Sequence, residues 1–452
     1  MLDAAAWTAR LRELAEPTSV TGAVLGIWAD GQEVLAAYGM LSAATRVPVT
    51  TDSLFQVGSI TKVWTASMIM QLIDEGRLSL DTTVAGVLPG VQLGAKDVGG
   101  QVTVAHLLTH SSGIDGDIFT DTGRGDDCLQ RYAELLADAA SAYPAGDAYS
   151  YCNSGYVLLG RIIEVLDGRP WDVSLEARLA DPLGLAQTVT LPEEAILHRA
   201  AVGHRDGAPV TVWGLPRSVG PAGGLVASAH DLLAFTRLHL DGGIAPDGSR
   251  AIGEASVSAM QQPRAPVPNF ALPGAAIGLG WRMSRWGGRT VIGHDGDTIG
   301  QSAYLRVDPA AGVAACLLTN SSESASLYRV VIAEVIEDWA GITMPPDPEP
   351  DGSARLTGED LGRHAGRYER TSRRFDVSVR DGLLRIVITT TGDLAALTDA
   401  EPEELVLYPA DSSGANFVCR SRDDDPWTPL TFARLPDGTP YVFMSGRVTP
   451  RA

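Results

Sequence analysis

The stretch GSITKVWTASMIMQLIDEG, residues 58–76, decides how this chain is read. From Ser59 it reads as a helix that ends at Gly76. Val63, Trp64, Ala66, Met68, Ile69, Met70, Leu72 and Ile73 make that helix apolar nearly all round, the pattern of a buried one. Ser59 and Lys62 stand three residues apart at its start and share one face. A lysine on so apolar a helix needs a partner to offset its desolvation. The chain has only two lysines, Lys62 and Lys96, among 35 basic residues, so lysine stands here where arginine is used almost everywhere else. Burial can lower the pKa of a lysine until it accepts a proton, whereas arginine stays charged. A serine hydroxyl is a weak nucleophile until a neighbouring base takes its proton. Ser59 is therefore the candidate nucleophile, and Lys62 its candidate base.

Before this helix, AVLGIWAD (23–30) and EVLAAYGM (33–40) read as a strand pair joined at Gly31-Gln32. After it, VTVAHLLTH, LQRYAELLADAA and GYVLLGRIIEVL read as helices between turns rich in Gly, Pro, Asp and Ser. Strands return with TVIGHDG, QSAYLRVDP and GVAACLLTN, and YRVVIAEVIEDWA is a last helix. This order argues for one mixed α/β (α+β) domain over residues 1–342, an antiparallel sheet covered by helices. The proline-rich, acidic segment that opens with TMPPDPEPDGSA forms neither a helix nor a central strand, so residues 343–358 read as a linker. Beyond it RYERT, RFDVSVR, LLRIVITTT, ELVLYPA, NFVCR, LTFARL and PYVFMSG are short strands, which makes residues 359–452 a small β-barrel.

Composition excludes several classes of function. With 45% hydrophobic residues the chain has ample material for a core. A net charge of −20 works against nucleic-acid phosphates and anionic membranes, and neither partner is expected. No apolar run approaches the roughly 20 residues of a membrane span. The first twenty residues suit a short amphipathic helix better than a signal peptide, so a cytoplasmic location is expected. Cys128, Cys152, Cys316 and Cys419 are widely spread and read as reduced thiols, not as a disulfide framework or zinc site. His106 and His110 have the spacing of a helical metal pair, but no acid lies between them and no third ligand is evident. No metal or cofactor is expected, and His110 reads as a structural hydrogen-bonding residue.

Two further signals lie outside the helix. Tyr151-Cys152-Asn153 sits in the turn-rich stretch PAGDAYSYCNSGY, before an apolar helix. Tyrosine acts as a general base where a cation favours the phenolate, and asparagine can hold a substrate carbonyl or a lysine amine. Taken alone, a packed tyrosine and a turn asparagine have the same pattern. Gly293-His294-Asp295-Gly296 lies on an apparent strand end; glycine there lets a substrate backbone approach, and His294 can bond a substrate carboxylate or assist a proton relay.

Together these three signals resemble, in order and kind, the Ser-x-x-Lys, Tyr-x-Asn and Lys/His-x-Gly elements of the class C β-lactamase and penicillin-binding protein family. LLTHSSGI (107–114) and PAGGLVAS (221–228) are similar to family segments too, and the resemblance covers roughly residues 20–340. It implies a β-lactamase/transpeptidase-like fold with Ser59 as nucleophile, Lys62 and Tyr151 sharing the proton transfers, and Asn153 and His294 completing the site. The backbone N–H groups of Ser59 and of Asp297, just beyond Gly296, would form an oxyanion hole. His294 stands where secreted lactamases carry lysine, which argues against β-lactam hydrolysis. With a β-barrel after the linker, the chain looks most like the stand-alone penicillin-binding-protein-type thioesterases, which release and cyclise nonribosomal peptides. The resemblance then implies a lipocalin-like small domain and a peptidyl substrate presented as a thioester on a peptidyl carrier protein. It also makes Arg447, in MSGRVTPRA, a candidate for holding that substrate. A D-stereospecific peptidase, carboxypeptidase or esterase of the same family is the alternative, and a non-catalytic peptide-binding module a third reading.

Overall fold

A computed structural model of the chain describes residues 3–392, 395, 401–422 and 425–452. The Asp3 carboxylate caps a first helix, Ala4–Ala15, by accepting from the N–H groups of Ala5 and Ala6. The first hairpin, Gly22–Ala29 and Gln32–Gly39, follows. Its turn falls on Asp30-Gly31, one residue before the Gly31-Gln32 expected from the sequence. Both turn residues have positive φ, 50° and 70°, the geometry that fits the twist of a two-residue hairpin.

These strands form one edge of an eight-stranded antiparallel sheet. Gly22–Ala29 pairs with Val313–Thr319, and the sheet continues through Ser302–Asp308, Arg289–Asp297, Arg282–Trp286 and the short strand Ala276–Ile277 to a short edge strand, Ala265–Pro266. Alternating side chains divide the core into two layers. Leu25, Ile27, Ala315 and Leu317 pack against Ala4–Ala15 and the helix Ala325–Ala340. Val24, Ala314, Cys316 and Leu318 face a larger core that contains the helices Thr61–Asp74, Asn153–Asp167 and Ala229–Leu240.

The helix Thr61–Asp74 is enclosed on all sides, with every residue from Thr61 to Leu72 buried. Trp64 stacks on Phe235 with ring centroids 3.9 Å apart; truncating so large a buried ring costs about 3–5 kcal/mol. The helix stops at Gly76, which takes the left-handed conformation at φ 71° while Arg77 N–H donates to Leu72 O.

After residues 341–357, which contain no helix or strand, a short helix at Gly358–Gly362 leads into the C-terminal domain. Eight strands follow one another as an antiparallel meander from Gly366–Arg370 to Arg447–Pro450. A bridge between Tyr368 and Arg451 brings the first strand to the last and nearly closes the barrel. Its interior is filled by Tyr368, Phe375, Leu384, Leu407, Phe417, Leu430 and Phe432. The eighth strand was not legible in the sequence: Ser445-Gly446 is a tight turn with φ 51° and 79°, and Arg447–Pro450 returns from it. An apolar cluster of Tyr143, Tyr149 and Ile277 with Tyr441, Phe443 and Val448 fastens the barrel to the larger domain.

Among the described residues no helix is long and apolar enough to cross a membrane. All four cysteines are buried and unpaired.

Candidate active site

Ser59 lies in a single turn of 3-10 helix, Gly58–Ile60, that runs straight into Thr61–Asp74. The helix spacing brings Lys62 Nζ to 3.1 Å from Ser59 Oγ. The same nitrogen donates to Asn153 Oδ1 at 2.9 Å and to the Ala222 carbonyl at 2.6 Å. Lys62 is fully buried. Burial, and next the positive charge of Arg447, push its pKa well below the ordinary lysine value, while Asp117 and Cys152 act the other way. Asn153 Oδ1 and Ala222 O can only accept, so a neutral amine here would give them its two protons and turn its lone pair toward the Ser59 hydroxyl.

Tyr151 closes the other side. Lys62 Nζ lies 4.8 Å from its ring centroid, and the Arg447 guanidinium 4.9 Å from the same point. Burial pushes the phenol pKa above its usual value, with the Ser59 hydroxyl beside it and Arg447 acting in the opposite direction. Among the described residues no group meets the Tyr151 hydroxyl with full hydrogen-bond alignment, so the approach to Ser59 is a close contact and not an aligned bond. The Tyr151 main chain is held from the barrel, its N–H donating to Gly446 O at 2.9 Å.

His294 lies on the strand Arg289–Asp297, buried. Its Nδ1 is 2.6 Å from the Asp295 carbonyl, which can only accept, so Nδ1 carries the proton and Nε2 presents a lone pair without a partner among the described residues. Burial, then Arg282 and Lys62, lower the His294 pKa to about 3, so the ring is neutral. At the strand end, Gly296 and Asp297 meet the turn that bears Ser59. A Cβ on Gly296 would sit 1.9 Å from Val57 O and 2.9 Å from Ser59 N. One on Gly58, itself at φ 52°, would sit 2.8 Å from Asp297 N. Glycine at both positions lets the two backbones touch and brings the Ser59 and Asp297 amides to one end of the cleft.

Ser59, Tyr151, Asn153, His294 and Asp297 line one cleft, open to solvent, with Arg282 on its wall and Ser445, Gly446 and Arg447 reaching in from the barrel. The structure thus brings together the residues singled out in the sequence. Arg447 is there, but its guanidinium is engaged: Nε and Nη2 donate to the two oxygens of Asp117 at 2.6 and 2.9 Å, and Nη1 donates to Ser445 O.

Residues 7–336 match the Beta-lactamase family. The chain belongs to the β-lactamase and penicillin-binding protein family. Penicillin-binding protein 4 of Amycolatopsis lactamdurans is 44% identical over 375 residues, 81% of this chain and 98% of that protein. SurE, in its crystal structure with D-Leu, matches with a TM-score of 0.78 at 30% identity over 99% of both chains. The D-amino acid amidase of Ochrobactrum anthropi, complexed with D-phenylalanine, shares the fold: its TM-score is 0.61 at 23% identity, over 74% of this chain and 99% of that one. At the level of class, this family member is a β-lactamase-fold serine hydrolase or acyltransferase.

Sequence reasoning missed Asp117 and Arg370. Asp117 lies in a loop without helix or strand, its side chain 6% exposed, and accepts from Asn153, Arg447 and Arg370. Arg370 closes the first barrel strand. Neither belongs to a motif, and only the docked barrel brings them together. His106 and His110 do separate structural work. His106 Nδ1 accepts from Thr103 N–H in a helix-capping box, and His110 Nδ1 accepts from Cys152 N–H at 3.0 Å.

Proposed function

We propose that this chain takes the acyl group of a peptidyl thioester onto Ser59 and passes it to the peptide's own amine, releasing a macrocycle, as a penicillin-binding-protein-type thioesterase. The observation that carries this reading is the buried Lys62 amine, 3.1 Å from Ser59 Oγ and bonded to two carbonyl acceptors, Asn153 Oδ1 and Ala222 O, so that once neutral it can turn its lone pair to Ser59.

In the first step Lys62 accepts the Ser59 proton as Oγ attacks the thioester carbonyl. The Ser59 and Asp297 amides stabilise the oxyanion. The carbon–sulfur bond breaks, and the proton held by Lys62 reaches the leaving sulfur through the protonated Tyr151 hydroxyl. In the second step the peptide amine attacks the ester, the carbon–Oγ bond breaks, and the amine's proton returns to Ser59 by the same two groups. His294 Nε2, neutral and unpartnered, offers an acceptor to the incoming amine. The 445–447 turn of the barrel lines the cleft where the peptide chain would lie. The match along the whole chain to SurE, crystallised with D-Leu, supports a substrate ending in a D-residue. The proposed partner is a peptidyl carrier protein in the cytoplasm.

Incubation with linear peptidyl thioesters ending in a D-residue, followed by mass analysis, tests the proposal. A product lighter than the linear acid by one water, absent with Ser59→Ala, is expected. Linear acid alone would make the chain a D-stereospecific hydrolase instead.

A further inference from the structure

Asn153 presents two chemically different faces, and the fold uses both. Its Oδ1 accepts from Lys62, and its Nδ2 donates to Asp117 Oδ1 at 3.1 Å. An ionised carboxylate only accepts, so a carboxylate on that side forces the NH₂ toward it and the carbonyl toward Lys62. Asp117 is ionised here: burial alone would raise its pKa, but Arg447 and Arg370 outweigh burial and hold it at about 2. Both arginines come from the barrel, Arg370 from its first strand and Arg447 from its last.

We propose that Asp117 is a positioning residue that sets which way round the Asn153 amide sits, and that the barrel, through Arg370 and Arg447, keeps Asp117 able to do so. The inference rests on the reading of Lys62 as the base for Ser59. With the amide reversed, its NH₂ would face Lys62 and donate into the lone pair that otherwise receives the Ser59 proton. The amine would still be present but aimed at the wrong partner.

The other groups around Lys62 do not titrate in a way that mimics this effect. Burial lowers the pKa values of His110 and His294, so both stay neutral, and raises those of Tyr151 and Cys152, so both stay protonated. Arg447 remains charged, its pKa raised by Asp117.

The test compares single-turnover acylation of Ser59 by a chromogenic ester, across pH, in the wild type, Asp117→Asn, and the exchange Asp117→Asn with Asn153→Asp. In Asp117→Asn the new amide no longer dictates the orientation of Asn153, and the plateau rate is expected to fall ~10²-fold, the scale of a misdirected reacting group. The acid limb moves to lower pH, because an NH₂ facing Lys62 and the loss of the carboxylate both disfavour the ammonium. In the exchange variant a carboxylate faces Lys62, so an acceptor is restored without ambiguity. The plateau is expected to recover at least ~10-fold, with the acid limb now above that of the wild type. Arg370→Gln with Arg447→Gln should slow acylation in the same sense as Asp117→Asn. A plateau in Asp117→Asn within about threefold of wild type, or an exchange variant no faster than Asp117→Asn, overturns the proposal. A loss with no movement of the acid limb also overturns it, since a packing role alone predicts that result. Failure of the wild type to form any ester at Ser59 would instead overturn the underlying reading.

Discussion

Replacing Gly296 with alanine tests the part of the site that depends only on backbone contact. The added methyl would lie 1.9 Å from the Val57 carbonyl oxygen and 2.9 Å from Ser59 N. An ordinary contact of about 3.5 Å requires the strand end and the Ser59 turn to part by about 1.5 Å. Neither side can yield by turning a side chain, because the obstacles are main-chain atoms. An oxyanion donor works within about 2.7–3.1 Å of the developing charge, so this movement takes one of the two amides out of range. Losing one such donor lowers kcat about 10²–10³-fold, or about 2.7–4 kcal/mol of transition-state stabilisation. The assay is the pre-steady-state rate of Ser59 acylation by an activated ester, with the melting temperature measured in parallel to confirm folding. A folded Gly296→Ala protein that acylates within about threefold of wild type, under about 0.7 kcal/mol, would refute the assignment of these amides.

Lys62→Arg keeps the positive charge but offers no lone pair, so acylation should fall by about 10²–10⁴-fold, read by mass spectrometry of the ester; retained activity would exclude Lys62 as base. Burial lowers the pKa of His239 from the usual 6.5 to about 3. Because the unfolded state binds that proton first, stability contributed by the neutral ring is complete above pH 6.5 and is lost toward pH 3, by about 1.4 kcal/mol per pH unit. Replacement by phenylalanine, which suits the Phe235 and Trp281 rings and leaves the Ser67 hydroxyl bonded to Val63 O, should flatten the acid slope of denaturant-measured stability; an unchanged slope would contradict it. Burial raises the Cys152 thiol to about 11, so it should resist a thiol reagent until the protein is denatured; rapid labelling of the native protein would refute that.

Periodicity and turn residues carried much of this structure. The all-round apolar helix after Ser59, the β-strands on both sides of the helical region and the meander after the prolines could be read because each states its burial locally. What escaped reading depends on long-range placement. Ser445-Gly446 looked like the end of one strand, and only the pairing of Met444 with Arg447 reveals a hairpin. The strands Ala265–Pro266 and Ala276–Ile277 are two residues each, too short for any alternation to register. Asp117 is one acid among many in a loop, and its neighbours are 253 and 330 positions away at Arg370 and Arg447. The candidate site was legible where three short motifs carry it, and illegible where a second domain supports them.

The pairing of Gly22–Ala29 with Val313–Thr319 has a consequence for synthesis. Thr319 follows Gly39 by 280 residues, so the opening hairpin leaves the ribosome long before its permanent neighbour exists. At about 5–20 residues per second the wait is roughly 14–56 s, with the hairpin's edge unpaired and only the first helix available to cover Leu25 and Ile27. Chaperone demand during translation should therefore centre on the exposed hairpin, and expression should respond more to slower elongation between residues 40 and 319 than to any change in the barrel.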